Sequence, residues 1–210
     1  MRILTAPASY EFTVKNSRFL AEADYVDSAE AARALLRQRK ERFPDIRHVV
    51  HAFAIGPTAG ILGCSDDGEP AGTAGRPTLE VLKGSGLTNL ILTTTRWFGG
   101  IKLGTGGLVK AYTEAAQGCL ANAATQELVP MATVSFAIPY QLYDPCRLLL
   151  RNLDFTTASE EFLDTIRITG TLREEKCPEL ARQLSELSRG QVTLLPEISQ
   201  DSAIRETGTK

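Results

Sequence analysis

Residues 90–112 read Leu90-Ile91-Leu92-Thr93-Thr94-Thr95-Arg96-Trp97-Phe98-Gly99-Gly100-Ile101-Lys102-Leu103-Gly104-Thr105-Gly106-Gly107-Leu108-Val109-Lys110-Ala111-Tyr112. The first six residues are aliphatic or β-branched and predict a buried strand, Leu90–Thr95. A glycine-rich turn follows, and then apolar residues recur at helical spacing through Leu108, Tyr112, Ala115 and Cys119. The spacing predicts a helix from about Gly106 to Ala121, with Thr105 as a natural N-cap. Strand, glycine turn and helix in succession are the unit of a layered domain in which helices cover one sheet.

Working outward, Glu11–Val14 and Arg18–Tyr25 read as strands around a Lys15-Asn16-Ser17 turn. Ser28 caps a helix running to about Arg42, with a stripe of Ala31, Ala32, Leu35 and Leu36. Its remaining face carries Arg33, Arg37, Arg39, Lys40 and Arg42 and reads as a solvated surface. Pro44 ends it. His48–Ile55 reads as a strand, Ile61–Cys64 as its hairpin partner, and a short helix begins at Pro77 and stops at Gly84 and Gly86.

Around Glu127–Pro130 the pattern restarts. Thr133–Ile138, Thr156–Glu160, Thr165–Leu172 and Gln191–Leu195 read as strands, and Tyr143–Asn152 and Pro178–Ser188 as helices. That order, β-α-β-β-α-β, is the ferredoxin-like split βαβ arrangement. The chain is therefore expected to be α+β, with a first domain at residues 1–128, a ferredoxin-like domain at 129–198 and a polar tail at 199–210.

Composition narrows the class. The 210 residues are 43% hydrophobic and 23% charged, in the range of water-soluble globular chains. No apolar run approaches the ~20 residues of a membrane span, so no membrane partner is expected. The N-terminus lacks a basic region followed by an apolar run, the pattern of a secretory signal. The four cysteines, Cys64, Cys119, Cys146 and Cys177, form no Cys-x-x-Cys pair and read as reduced thiols of a cytoplasmic protein. Net charge is −2, but residues 1–128 hold 14 basic against 13 acidic side chains and residues 129–210 hold nine against 12. A polyanionic partner would have to meet a local basic patch, and the first domain is the better place for one.

Two glycine-rich loops carry the candidate chemistry. The first, Ser65–Pro77, places Asp66, Asp67 and Glu69 among three glycines. Those carboxylates are candidate oxygen ligands for a hard cation such as Mg²⁺. Asp67-Gly68 is equally a good turn, and Asp66 suits bonds to nearby amides. The second loop, Arg96–Tyr112, leads into a helix start at Gly104, Thr105, Gly106 and Gly107, where free amides and the helix dipole attract phosphate or carboxylate. Lys15, Arg18, Arg96, Lys102 and Lys110 are the candidate cations around it. The competing expectation is that Gly106 and Gly107 let the helix pack tightly on the sheet.

Known nucleotide signatures do not match. Gly99 and Gly104 have the Walker A spacing, but Gly104-Thr105-Gly106 stands where Gly-Lys-Ser/Thr is required. His48 and His51 are three apart on an expected strand and point to opposite faces, against a shared metal. No nucleophile elbow, zinc-protease helix or Cys–His pair is legible.

The motifs Ser65-Asp66-Asp67-Gly68-Glu69-Pro70-x-Gly72-Thr73-Ala74-Gly75-x-Pro77 and Arg96-x-x-Gly99-Gly100-x-x-Leu103-Gly104-x-Gly106-Gly107-Leu108-x-Lys110-Ala111-Tyr112 resemble those of the IMPACT family, in its bacterial YigZ-type branch. Lys15-x-Ser17-Arg18-Phe19 and the Pro44 to His48 stretch match as well, and the resemblance spans about residues 5–200. It implies a first domain like the fold shared by a ribosomal-protein domain, ribonuclease PH and GHMP kinases, with a left-handed βαβ crossover. It implies a second domain resembling one of elongation factor G. Eukaryotic members are implicated in translation control and carry an extra domain that this chain lacks. From the resemblance and the anion-friendly loop, the expected function is a non-enzymatic binding protein in translation or RNA metabolism, whose partner is RNA, the ribosome or a translation-related protein. The alternatives are a metal-dependent enzyme acting on a phosphorylated small molecule, with Mg²⁺ on Asp66, Asp67 and Glu69, and a protein-interaction adaptor with an exposed apolar patch.

Overall fold

The computed structural model describes residues 1–192 apart from Asp45 and Arg47. Its chain divides into two compact units, the first Met1–Leu128 and the second beginning at Val129.

The first unit holds strands β1 (Arg2–Leu4), β2 (Ala8–Val14), β3 (Ser17–Tyr25), β4 (Val49–Ile55), β5 (Ile61–Ser65), β6 (Leu90–Trp97) and β7 (Thr125–Glu127). Three helices accompany them: α1 (Ala29–Arg42), α2 (Gly75–Gly84) and α3 (Thr105–Ala121). Five strands form one sheet in the order β2-β3-β6-β4-β5, every neighbour antiparallel. It follows that β3 and β4 run parallel with β6 between them, and β5 and β6 run parallel with β4 between them. Two crossovers, through α1 and through α2, thus interlock in one sheet. The short strands β1 and β7 pair with each other and escaped sequence reading. Three residues show no alternation, and the partners lie more than 120 positions apart.

Period-two alternation assigns each strand residue to a face. Phe19, Ala21, Ala23, Val50, Ala52, Ala54, Leu90 and Leu92 face α2 and α3, where they meet Leu82, Leu108, Tyr112, Ala115, Ala116 and Cys119. Ile55 and Ile91 face α1 and meet Ala32, with Ala31, Leu35 and Leu36 beside them. Small side chains on the first face bring α3 close: a Cβ on Gly118 would lie 2.3 Å from the Tyr10 ring. Each fully buried aliphatic side chain here contributes about 1.5–3 kcal/mol.

Ser28 caps α1 as its sequence requires, its Oγ accepting from the Ala31 amide at 3.2 Å. The basic face of that helix is not simply solvated. Arg39 donates to Asp24 at 2.5 Å, Arg42 forks onto Glu22 at 2.9 and 3.0 Å, and Lys40 reaches Asp67 at 2.5 Å. Glu22 and Asp24 on the α1 face of β3 receive the two arginines, placed there by alternation with Ala21 and Ala23, while Asp67 belongs to the loop after β5. Helix α2 starts two residues before Pro77, because Asp66 holds its first amides.

The second unit holds β8 (Met131–Ile138), α4 (Tyr143–Asn152), β9 (Thr156–Phe162), β10 (Ile166–Arg173) and α5 (Cys177–Ser188), with single 3₁₀ turns before each helix. Its sheet order is β8-β10-β9, both pairings antiparallel. β10 therefore splits the β8-α4-β9 crossover. Val134, Phe136, Ile138, Ile166, Ile168 and Leu172 pack on Leu149, Leu150, Leu180 and Leu184. Of the expected last strand, Gln191 and Val192 are not in a strand, and residues 193–195 lie outside the described residues, as does the 199–210 tail.

Candidate functional site

The two loops meet through their charged side chains, but in an arrangement that spacing could not foretell. Even-numbered residues of β6 face α3, so Arg96 turns inward rather than toward solvent. Its Nη1 donates to both Glu69 oxygens, at 2.8 and 3.1 Å, and the two side chains are only 8% and 4% exposed. Tyr112 donates its hydroxyl to Glu69 Oε1 at 2.9 Å. Burial, and then the Glu69 charge, pushes that phenol far above its ordinary range, so it stays a neutral donor. Ser17 Oγ accepts from Arg96 at 3.4 Å and from the Gly99 amide at 3.2 Å. The β2–β3 turn, both loops and α3 are thereby joined at one buried cluster.

The three loop carboxylates diverge. Asp66 accepts from the amides of Gly72 (2.8 Å), Ala74 (3.0 Å) and Gly75 (2.8 Å), filling the start of α2. Burial alone would raise its carboxyl, yet these three amides hold it below the usual carboxylate value. Asp67 accepts from the Val49 amide at 2.7 Å and from Lys40. Glu69 belongs to Arg96 and Tyr112. Among the described residues, no group of three or more His, Cys, Asp or Glu side chains converges as a metal site does. His48 Nδ1 lies 2.7 Å from the Asp67 carbonyl oxygen, while His51 stands on β4 with its Nδ1 unpartnered.

The start of α3 is built differently from that of α2. Gly104, at φ +74°, is its N-cap residue, and Thr105 is the first helical residue instead of the cap. No side chain caps this end and no acidic residue lies in its first turn. Gly104, Thr105 and Gly106 are exposed, as are Lys102 and Lys110. A Cβ on Gly106 would meet nothing within 4 Å, so tight packing on the sheet is not what places that glycine; Gly118 has that role.

Not all expected cations gather here. Arg96 is buried and neutralised. Arg18 lies on the α1 face of the sheet, paired with Glu11 at 2.9 Å and stacked 4.1 Å over Trp97. Lys15, exposed in the hairpin turn at φ +44°, stays near the second loop, because Gly99 packs against Asn16 so closely that a Cβ would lie 2.0 Å from its carbonyl carbon. Sequence reading missed Arg76, which lines an open groove of about 500 Å³ between α2 and α3 with Gly72, Val109, Thr113 and Gln117. It also missed the Tyr112 hydroxyl. The signal was there, since a core tyrosine needs a partner for its O–H.

The profile of the Impact N-terminal domain matches residues 15–120, and that of a domain of unknown function, DUF1949, matches residues 136–191. The chain is 35% identical over 195 residues to IMPACT family member YigZ of Escherichia coli, covering 92% of this chain and 96% of that protein. It is 33% identical to an IMPACT family member of Haemophilus influenzae, over 88% of this chain and 91% of the relative. A solved crystal structure of a hypothetical protein, 35% identical, superposes with a TM-score of 0.70 over 93% of this chain and 96% of its own. With both domain profiles in order along one chain and full-length relatives at this identity, the protein belongs to the IMPACT family.

Proposed function

We propose that this protein is a non-enzymatic, cytoplasmic binding protein acting in translation or RNA metabolism, and that it meets the phosphates of RNA or the ribosome at the start of α3. One observation carries the proposal: of two neighbouring glycine-rich helix starts, that of α2 is filled by Asp66, while that of α3 is uncapped and flanked by Lys102 and Lys110. Free amides, the helix dipole and two ammonium groups act together on one anion. Lys15 and Arg76 extend the cationic surface on either side. The family resemblance implies a first unit like the ribosomal-protein, ribonuclease PH and GHMP-kinase fold and a second like an elongation factor G domain; folds of that kind would suit such a role, though fold does not fix function. The enzyme alternative needs Asp66, Asp67 and Glu69 to turn toward one Mg²⁺, and each is already engaged by amides or cations.

The test is binding of single-stranded RNA and of ribosomes across a salt series. The expected affinity falls with salt, and the slope drops by about one for each lysine replaced, Lys102→Glu or Lys110→Glu. Arg18→Glu, on the opposite sheet face, serves as the comparison. No binding at low salt, or equal effects of all three substitutions, overturns the proposal.

A further inference from the structure

The two edges of the five-stranded sheet are finished differently. Edge strand β2 is blunted: the Ser9 carbonyl accepts from Asn122 Nδ2 at 3.0 Å, the Ala8 carbonyl from the Cys119 thiol, and Glu11 on its surface pairs with Arg18. Edge strand β5 has none of these devices. Its residues, Ile61-Leu62-Gly63-Cys64-Ser65, carry no charge and no proline, and among the described residues it pairs only with β4. Ile61 is 55% and Leu62 42% exposed, and Cys64 is exposed beside them. The Phe53 ring reaches across from β4 and covers Gly63, where a Cβ would lie 2.3 Å from it, so an aromatic surface extends toward the open edge. An uncharged, apolar edge with free backbone groups is a template for another strand.

We infer that β5 is the seam of a symmetric dimer, pairing antiparallel with β5 of a second copy to make a continuous ten-stranded sheet. The strand is self-complementary. With the two-fold axis at Gly63, all five residues pair, Ile61 opposite Ser65 and Leu62 opposite Cys64 of the other copy. No like charges face each other within the seam, and glycine at the axis lets the two backbones and the two Phe53 rings approach. Beside Cys64 stand Asp66 and, on α2, Arg76 and Glu80, so each copy offers charges of both signs next to the seam. An isologous interface of this kind closes on itself instead of propagating. A five-residue seam makes the dimer concentration-dependent.

Sedimentation of the full chain over a concentration series, from micromolar to about millimolar, tests this independently of RNA binding. The expected result is a monomer–dimer equilibrium that Leu62→Lys weakens at least about tenfold, while Thr13→Lys on β2 leaves it unchanged. Ile61→Lys is the second seam variant should Leu62→Lys lose its fold by circular dichroism. Hydrogen exchange at residues 61–65 is expected to slow as concentration rises. A wild-type chain that stays monomeric throughout overturns the inference, as does a dimer indifferent to both lysine substitutions.

Discussion

Glu69 and Arg96, 27 positions apart, form an ion pair at 2.8 Å that is almost wholly shielded from water and joins the two glycine-rich loops. Two charges removed from water cost several kcal/mol each, and their attraction compensates only when the geometry is good and other hydrogen bonds are made. Here Tyr112 and Ser17 provide those bonds. Breaking the pair from one side is expected to be far worse than replacing it. Glu69→Ala leaves Arg96 buried and unpaired and should cost about 3–5 kcal/mol in chemical denaturation. The double variant Glu69→Leu, Arg96→Met should cost less than the sum of its single changes, with a coupling of at least about 1 kcal/mol. Additive effects would mean that the pair is not the clamp between the loops.

Asp66 supports the start of α2 through three amides, so Asp66→Ala is expected to lower stability by about 1–2 kcal/mol near neutral pH. The folded carboxyl is held below its ordinary value, so the unfolded chain binds the proton more readily. The Asp66 contribution is therefore complete above about pH 4 and is lost as pH falls through the lower folded value. Denaturation curves of wild type and variant should converge in acid and separate above pH 4. A gap that is constant with pH would assign the loss to packing.

Gly99 is required by close approach, since a side chain there would occupy the carbonyl of Asn16. Gly99→Ala is expected to cost about 1–3 kcal/mol and to loosen the Lys15–Ser17 turn. Gly106→Ala meets open space and should leave stability nearly unchanged or slightly higher, since alanine favours the helix. Thermal unfolding of the two variants side by side checks the contrast.

The thiols should differ sharply in reactivity. Burial pushes Cys119 up to about 12 and Cys146 up to about 11, whereas Cys64 is exposed on β5. Alkylation of the native protein near pH 8 should label Cys64 first and leave Cys119 and Cys146 until unfolding, as read by peptide mass. Prompt labelling of Cys119 would contradict the packing of α3 on the sheet.

His51, half-buried on β4, is expected to have its imidazole titrate below the ordinary range. Burial is the main cause, opposed by the nearby Asp67 charge and reinforced by that of Lys40. Its contribution to stability is present above about pH 6.5 and declines as pH falls below it. An NMR titration of its ring protons should give a midpoint under 6.5.

What the chain announced on its own was local. Alternation in Arg18–Tyr25, the apolar run Leu90–Thr95 and the stripe Leu108, Tyr112, Ala115, Cys119 marked a strand or helix correctly, because period two and period 3.6 are printed in neighbouring residues. Ser28 capped its helix for the same reason. The family motifs in the two loops were equally legible, being contiguous. The charges were not. Asp66, Asp67 and Glu69 lie within four positions and look like one ligand set, yet they serve three separate partners. Arg96 looks like a surface cation and is the buried half of an ion pair. Side-chain direction depends on which face of β6 meets α3, and that is set by strand order across the whole unit. Only the tertiary structure could decide that α2 begins with its anion already in place, supplied by Asp66, while α3 begins with its amides free.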